Sequence, residues 1–266
     1  MEKIPLSVAI ITKNEEQNIR DCLKSVAFAA QIVVVDSGST DKTLEIAAAF
    51  DCDIYREGWH GFGPQKQLAI DKCSRPWVLV LDADERIPKE TQRVITDIVT
   101  GAGVQAAGFS FPRKNFFQGR WMRHAGWWPD RVTRLFRREA GRMTPVAVHE
   151  AVEVEGLVAP LDVPIEHCTE SSLSAILLKI DHYSTLGAGE SHLAGKRSSP
   201  FGAFIRAFFT FVQNYIFRRG FMGGPQGLTL AVTDSVNKFF KYAKLSELTR
   251  TDRDAARTKD SDRRDK

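Results

Sequence analysis

The chain has 266 residues, 43% hydrophobic and 26% charged, enough apolar material for a full core and too much for a disordered polymer. Its net charge of +4 is mild and points to no nucleic-acid partner, and its four cysteines (Cys22, Cys52, Cys73, Cys168) lack C-x-x-C spacing, which excludes a zinc ribbon or dense disulfide framework and reads as reduced core thiols. No stretch reaches about 18 uninterrupted apolar residues, so no spanning helix is expected, and "MEKIPLSVAIITKNEE" lacks a secretory cleavage pattern, which predicts a cytoplasmic protein.

The first element is the β-rich run Leu6 to Thr12, after which Asn14 and Gln17 resemble a capping box opening a helix with Ile19, Cys22, Leu23, Val26 and Ala30 on its buried face. Gln31 to Asp36 reads as a second strand, ended by "SGSTDKT", where Ser39 or Thr40 is expected to cap the next helix. "DIYRE" is a third short strand, "GPQKQLAIDKC" a helix, "WVLVLD" a fourth strand, and a further helix begins near Pro88. Strands that are nearly continuous apolar runs separated by helices should be covered on both faces, which predicts an α/β fold with a mostly parallel, Rossmann-like sheet. Beyond it, "VTRLFRR" and "VAVHEAVEVEG" read as short strands, and from Ser171 the chain reads helical. The expected organisation is a catalytic domain over 1–170, a basic, aromatic helical appendage over 171–249 and a disordered tail over 250–266.

In such sheets ligands bind outside the carboxyl ends of the strands, and Thr12 to Glu15, Asp36, and Asp82 to Glu85 all fall there. A turn accounts for one Asp at a strand end. Three carboxylates within four positions are harder, because unit charges about 4 Å apart repel by roughly 4 kcal/mol at an effective dielectric of about 20. A cation should sit among them. Asp82-Ala83-Asp84 offers hard oxygen ligands of the kind that hold Mg²⁺ or Mn²⁺, usually shared with substrate phosphates.

"SVAIITKNEEQNI", "IVVVDSGSTDKT" and "VLVLDADE", in that order and spacing, resemble the family 2 glycosyltransferases with the GT-A fold, over about residues 5 to 155. Further along, "HAGWWPDRVTRLFRR", "VHEAV" and "FVQNYIFRRGFMGGPQGL" resemble the subgroup that includes lipopolysaccharide core glucosyltransferases of Gram-negative bacteria. The resemblance implies transfer of a sugar, with inversion, from a nucleoside-diphosphate donor, a UDP-sugar foremost, to a glycan or glycolipid hydroxyl. Thr12, Asn14, Glu15 and Asp36 would then hold the nucleotide, Asp82 would face the nucleotide sugar or join Asp84, and Asp84 would ligate the metal. Lys66 and Gln65 read either as a solvated helix start or as diphosphate contacts, since Gly61 and Gly63 permit close backbone approach. Arg134, Arg137 and Arg138 read either as a solvated strand face or as guanidinium partners of the leaving diphosphate. Trp121, Trp127 and Trp128 are core or carbohydrate platform.

An inverting transferase needs a base for the acceptor hydroxyl, and Glu150 and Asp130 are the candidates. Asp130, after Pro129, has a capping role open to it, whereas Glu150 stands beside His149 in an otherwise apolar stretch and is preferred. His149 itself reads as metal ligand, second acid–base group or satisfied core histidine. Phe204, Phe208, Phe211 and Tyr215, with Arg206, Arg218 and Arg219 around them and no acid from Ser191 to Thr233, predict docking on the cytoplasmic face of an anionic membrane. Two rivals remain open at this point. A haloacid-dehalogenase phosphatase would carry its D-x-D on the first strand with a downstream "GDxxxD", and neither is present. A nucleotide-binding membrane-surface module without transferase activity would bind no nucleoside diphosphate in a metal-dependent way.

Overall fold

Ile4–Thr12 forms β1, and all but one of its residues are buried because the sheet is covered on both sides. The computed structural model describes residues 3–144, 150–168 and 172–264. They fall into two compact units, one of Met1–Phe116 and Trp128–Thr169, the other of Phe117–Trp127 and Glu170–Lys266.

In the first unit, β1 is followed by α1 (Ile19–Ser25), β2 (Ala29–Asp36), α2 (Thr43–Ala48), β3 (Asp53–Arg56), α3 (Phe62–Asp71) and β4 (Trp77–Asp82). Then come β5 (Glu85–Arg86), α4 (Lys89–Thr100) and β6 (Gly108–Phe117), whose last residue is assigned to the second unit. After β7 (Arg120–Trp121), which belongs to the second unit, the chain returns through β8 (Asp130–Arg137), β9 (Gly141–Met143), β10 (Val152–Val154), β11 (Val158–Pro160) and β12 (Ile165–Cys168). The strand order is β3-β2-β1-β4-β8-β6-β12-β5. The expected α/β architecture is present, and β3, β2, β1 and β4 are parallel throughout. β8 departs from that direction, pairing antiparallel with both β4 and β6. No helix intervenes between β6 and β8, so the crossover a parallel partner requires is missing.

Alternation along the strands divides the core between two faces. Leu6, Val8, Ile10, Leu79 and Leu81 pack on one side with Ile19, Leu23 and Ile95 of α1 and α4. Ala9, Ile11, Val78 and Val80 pack on the other with Ala69 and Ile70 of α3 and with Phe136. Gly141 is required there, since a Cβ on it would come within 2.1 Å of the Phe136 ring. Cys22 and Cys73 are the buried thiols expected, and burial pushes Cys73 up to about 12. Cys52 and Cys168 are only half-buried, so these two are not fully core residues.

Local signals fail at two helix starts. α1 begins at Ile19 behind Asn18, not at Asn14, whose φ of 56° lies in the left-handed region that asparagine tolerates. α2 begins at Thr43, and the carboxylate of Asp41, not Ser39 or Thr40, accepts from its N–H (3.0 Å) and hydroxyl (2.5 Å).

The second unit contains α5 (Leu173–Leu193), α6 (Pro200–Val212), a π-helical turn (Gln213–Phe217), a 3₁₀ turn (Gly220–Gly223) and α7 (Gly224–Arg264). Ser199 caps α6 by accepting from the Gly202 N–H at 3.1 Å, with Pro200 in the first turn where its missing N–H costs nothing. Gly227 of α7 lies against the Gly220 carbonyl, which a Cβ would meet at 2.0 Å. Lys244 of α7 ties down α5 through Asp181 (2.7 Å), Ser184 (2.9 Å) and Thr185 (2.7 Å). Phe117, Met122 and Ala125 form a small core with Leu230, against which Trp127 packs. The helix reaches Arg264 through the segment expected to be a disordered tail. No glycine or proline follows Gly227, so nothing in that sequence stops it.

Candidate active site

Parallel pairing brings the carboxyl ends of three strands to one edge, with Thr12 opposite Asp36 and Ile11 opposite Asp82. The loops after β1 and β2 are stitched together there. Asn14 donates its backbone N–H to Ser39 Oγ (2.9 Å), and its side-chain oxygen accepts from the Thr40 N–H (2.8 Å). The Glu15 N–H donates to Thr43 Oγ1 at 2.7 Å. Buried Asp36 turns its carboxylate into its own loop, accepting from the N–H groups of Gly38 and Ser39 at 3.0 Å each and from the Ser39 hydroxyl. Thr12 Oγ1, Ser37 Oγ and Gln65 Nε2 are buried at or near this edge with no protein partner. Such groups cost stability unless something pairs with them, so the edge presents unmet polarity suited to a ligand.

The acids at the end of β4 have cationic partners from distant segments. Arg134 of β8 donates from Nη2 to Asp82 (2.8 Å) and to fully buried Glu85 (2.7 Å). Lys66 of α3, 4% exposed, reaches Asp82 Oδ1 at 2.7 Å and Glu150 Oε1 at 3.0 Å. Burial alone would push the Asp82 carboxyl up, but the charges of Lys66 and Arg134 outweigh it and hold it well below the usual carboxylate range. Each Asp82 oxygen thus has a cationic partner, Lys66 on one and Arg134 on the other. Lys66 and Arg134, read from sequence as candidate diphosphate contacts, are buried here and pair with these carboxylates. Arg137 and Arg138 lie elsewhere: β8 runs antiparallel to β4, so Arg137 pairs with Trp77 at the far end of β4 and stacks over its ring at 4.7 Å.

Asp84 faces a different partner, His167 of β12, with Nε2 at 3.3 Å from its carboxylate. His167 Nδ1 lies 2.7 Å from Asn115 Oδ1, the Asn115 amide donates to Asp130 Oδ2 (3.2 Å), and Arg113 clamps the same oxygen at 2.9 and 2.6 Å. With Nδ1–H assigned to the Asn115 bond, Nε2 faces Asp84 and in the metal-free protein donates its own proton to that carboxylate, the place a cation would take. Burial lowers the His167 pKa, while the hydrogen bond and charge of Asp84 and the charge of Glu85 raise it further, for a net upward shift.

No group of three or more His, Cys, Asp or Glu suited to a metal occurs among the described residues. One carboxylate and one imidazole, with phosphate oxygens and water completing the shell, nevertheless fit Mn²⁺ or Mg²⁺, which commonly take few protein ligands. Of the base candidates, Glu150 stands in irregular backbone before β10, not in a strand, and is held by Lys66, while Asp130 opens β8 in the grip of Arg113. His149 lies outside the described residues. Trp127 packs on Phe117 at 5.9 Å between ring centroids, and Arg123 stacks over Trp121 at 4.0 Å.

A model of the family described as "Glycosyl transferase family 2" matches residues 7–152. The chain is 32% identical to the lipopolysaccharide core biosynthesis glycosyltransferase LpsC of Rhizobium meliloti, over 91% of this chain and 92% of that one. Among solved structures, S. aureus TarS 1-349 in complex with UDP-GlcNAc is 14% identical with a TM-score of 0.45, over 92% of this chain and 74% of that one. Glucosyl-3-phosphoglycerate synthase of Mycobacterium tuberculosis, in complex with Mn²⁺, UDP and glucosyl-3-phosphoglycerate, is 24% identical with a TM-score of 0.33, over 44% and 45%.

Proposed function

From the premise that this chain belongs to the family 2 glycosyltransferases, we propose that it moves a sugar, with inversion, from a UDP-sugar to a hydroxyl of a lipid-linked glycan, lipopolysaccharide core in particular. The acceptor class follows the relative LpsC. The observation that carries the reading is the convergence of unpartnered Thr12 and Ser37 at the β1 and β2 ends with the Asp84–His167 pair beyond β4, a nucleotide edge beside a cation pair. Asp84 and His167 would hold a divalent cation, Mn²⁺ or Mg²⁺, whose charge offsets that developing on the leaving diphosphate. Thr12, Ser37 and the loop of Asn14, Glu15 and Asp36 bind the nucleoside. Glu150 takes the acceptor proton on its carboxylate as the anomeric carbon is attacked, and Lys66 holds Glu150 and Asp82 in place from between them. A single base and no carboxylate placed as nucleophile fit one displacement. The place of work is the cytoplasmic face of the membrane, where a lipid-linked acceptor is presented. A panel of nucleoside-diphosphate sugars incubated with Mn²⁺ tests the reading: UDP release from one of them, abolished by EDTA, is expected, and absence of release or binding across the panel overturns it.

A further inference from the structure

The second unit carries an exposed aromatic surface. On α6, Phe201, Phe204, Phe208 and Phe209 are 54–73% exposed, and Ala203 is the one residue of that helix fully buried among the described residues. The aromatic stripe continues beyond the helix: Phe211 stacks on Tyr215, and Phe221, 51% exposed, packs edge-on against the same ring. Phe217, at the end of the π-helical turn, is 77% exposed. A soluble surface seldom keeps so many contiguous rings in water without a partner.

Charge says which partner. No Asp or Glu occurs from Ser191 to Thr233, and the cations of that stretch bracket the ring-bearing helix, with exposed Lys196 and Arg197 before it and exposed Arg218 and Arg219 after it. Arg206, within the helix, is turned instead onto the ring of Tyr242 of α7 at 4.6 Å. Rings along the helix with basic residues at both ends match an element lying in the plane of an anionic interface, where rings enter the acyl boundary and cations stay among headgroups. Among the described residues no helix is long and apolar enough to cross a membrane.

We propose that α6 and the two turns after it are the docking surface of this protein on an anionic phospholipid bilayer, α6 lying flat with both basic ends at headgroup depth. This names the surface behind the proposed lipid-linked acceptor, and it rests on the transferase reading only for that acceptor.

The test is flotation of the full-length protein with vesicles of phosphatidylglycerol and phosphatidylcholine, beside vesicles of phosphatidylcholine alone. Co-flotation with the anionic vesicles only, reversed by high salt, is expected. The combination Lys196→Glu, Arg197→Glu and Arg219→Glu is expected to lower the partition coefficient by about tenfold or more, given the worth of each cation near anionic lipid. Arg218 is left intact because its side chain packs over Gly126. Phe204→Gln with Phe208→Gln is a second route to the same loss that leaves the charges alone. Protein that stays at the gradient bottom, or floats equally with both vesicle types, overturns the proposal. So does a dimer, seen by light scattering, that the ring variant dissociates while the wild type ignores vesicles. UDP-sugar hydrolysis in solution, measured on the same samples, is expected to be unchanged in both variants, so failure of docking and failure of the transferase reading are read separately.

Discussion

Among the described residues Glu150 is tied to Lys66 through one oxygen, whereas Asp130 carries three donors on Oδ2. A base must offer a lone pair to the acceptor, so Glu150 is the freer of the two. Glu150→Gln is expected to keep donor affinity while kcat falls by about 10² or more, the worth of a placed general base. Turnover near the wild-type rate would transfer the role to Asp130. His167 titrates in the opposite sense from a depressed carboxylate: its raised pKa stabilises the metal-free fold below the ordinary histidine value of about 6.5, and that stabilisation is lost as pH rises through the folded value. A cation between Asp84 and His167 must displace that proton, so calorimetric Mn²⁺ affinity is expected to strengthen as pH rises toward and past the raised histidine pKa. His167→Ala should flatten the dependence, and Asp84→Ala should remove the binding without unfolding the protein. Unchanged affinity in Asp84→Ala would refute the ligand pair. Asp82, Asp84 and Glu150 are legible from sequence because acids interrupting apolar runs are conspicuous. His167, in "PIEHC", is not, since only the pairing of β12 with β6 and β5 sets it beside Asn115 and Glu85.

At the scale of elements, the apolar runs place the central strands, since a strand buried on both faces has no other way to be written. β1 and β2 nevertheless each begin two residues earlier than read, and Ala30 lies in β2 and not on α1. Helix starts are read less well: Asn14 and Ser39 look like caps, yet they bond each other across two loops brought together by β1 and β2. The join of the π-helical turn to α7 shows a further element-level effect. Asn214 donates to Asp234 of α7 at 2.8 Å, and burial pushes the Asp234 carboxyl up to about 6 despite that bond and the charge of Arg218. A carboxyl raised on folding binds its proton more tightly in the folded state, so stability falls as pH climbs from about 4 to about 6 and is flat above. Asp234→Asn removes that ionisation, and thermal unfolding at pH 7.5 is expected to show a gain of at most about 3 kcal/mol, nearly vanishing near pH 4. An equal gain at both pH values would mean that the carboxylate is not the cause.

For the whole molecule, the boundary read along the sequence lies near residue 170, whereas the compact units also group Phe117–Trp127 with the helices that follow. No composition shift marks that excursion, because Met122 and Trp127 are apolar in the way any core residue is; only their packing with Leu230 reveals the assignment. Ending the chain after Thr169 would strand Phe117, Met122 and Ala125 without that partner. The truncated protein is expected to aggregate, and replacing Phe117–Trp127 in it by a short Gly-Ser link should restore solubility, as sedimentation would show. A soluble monomer without the replacement would count against the shared core. The same arrangement sets a clock during synthesis. Met122 leaves the ribosome roughly a hundred residues before Leu230, a delay on the order of 10 s at ordinary elongation rates. Through that interval a segment bearing Phe117, Met122 and Trp127 has no surface to close on while the flanking strands pair, so the yield of native protein should depend on translation speed and on the chaperones that cover the wait.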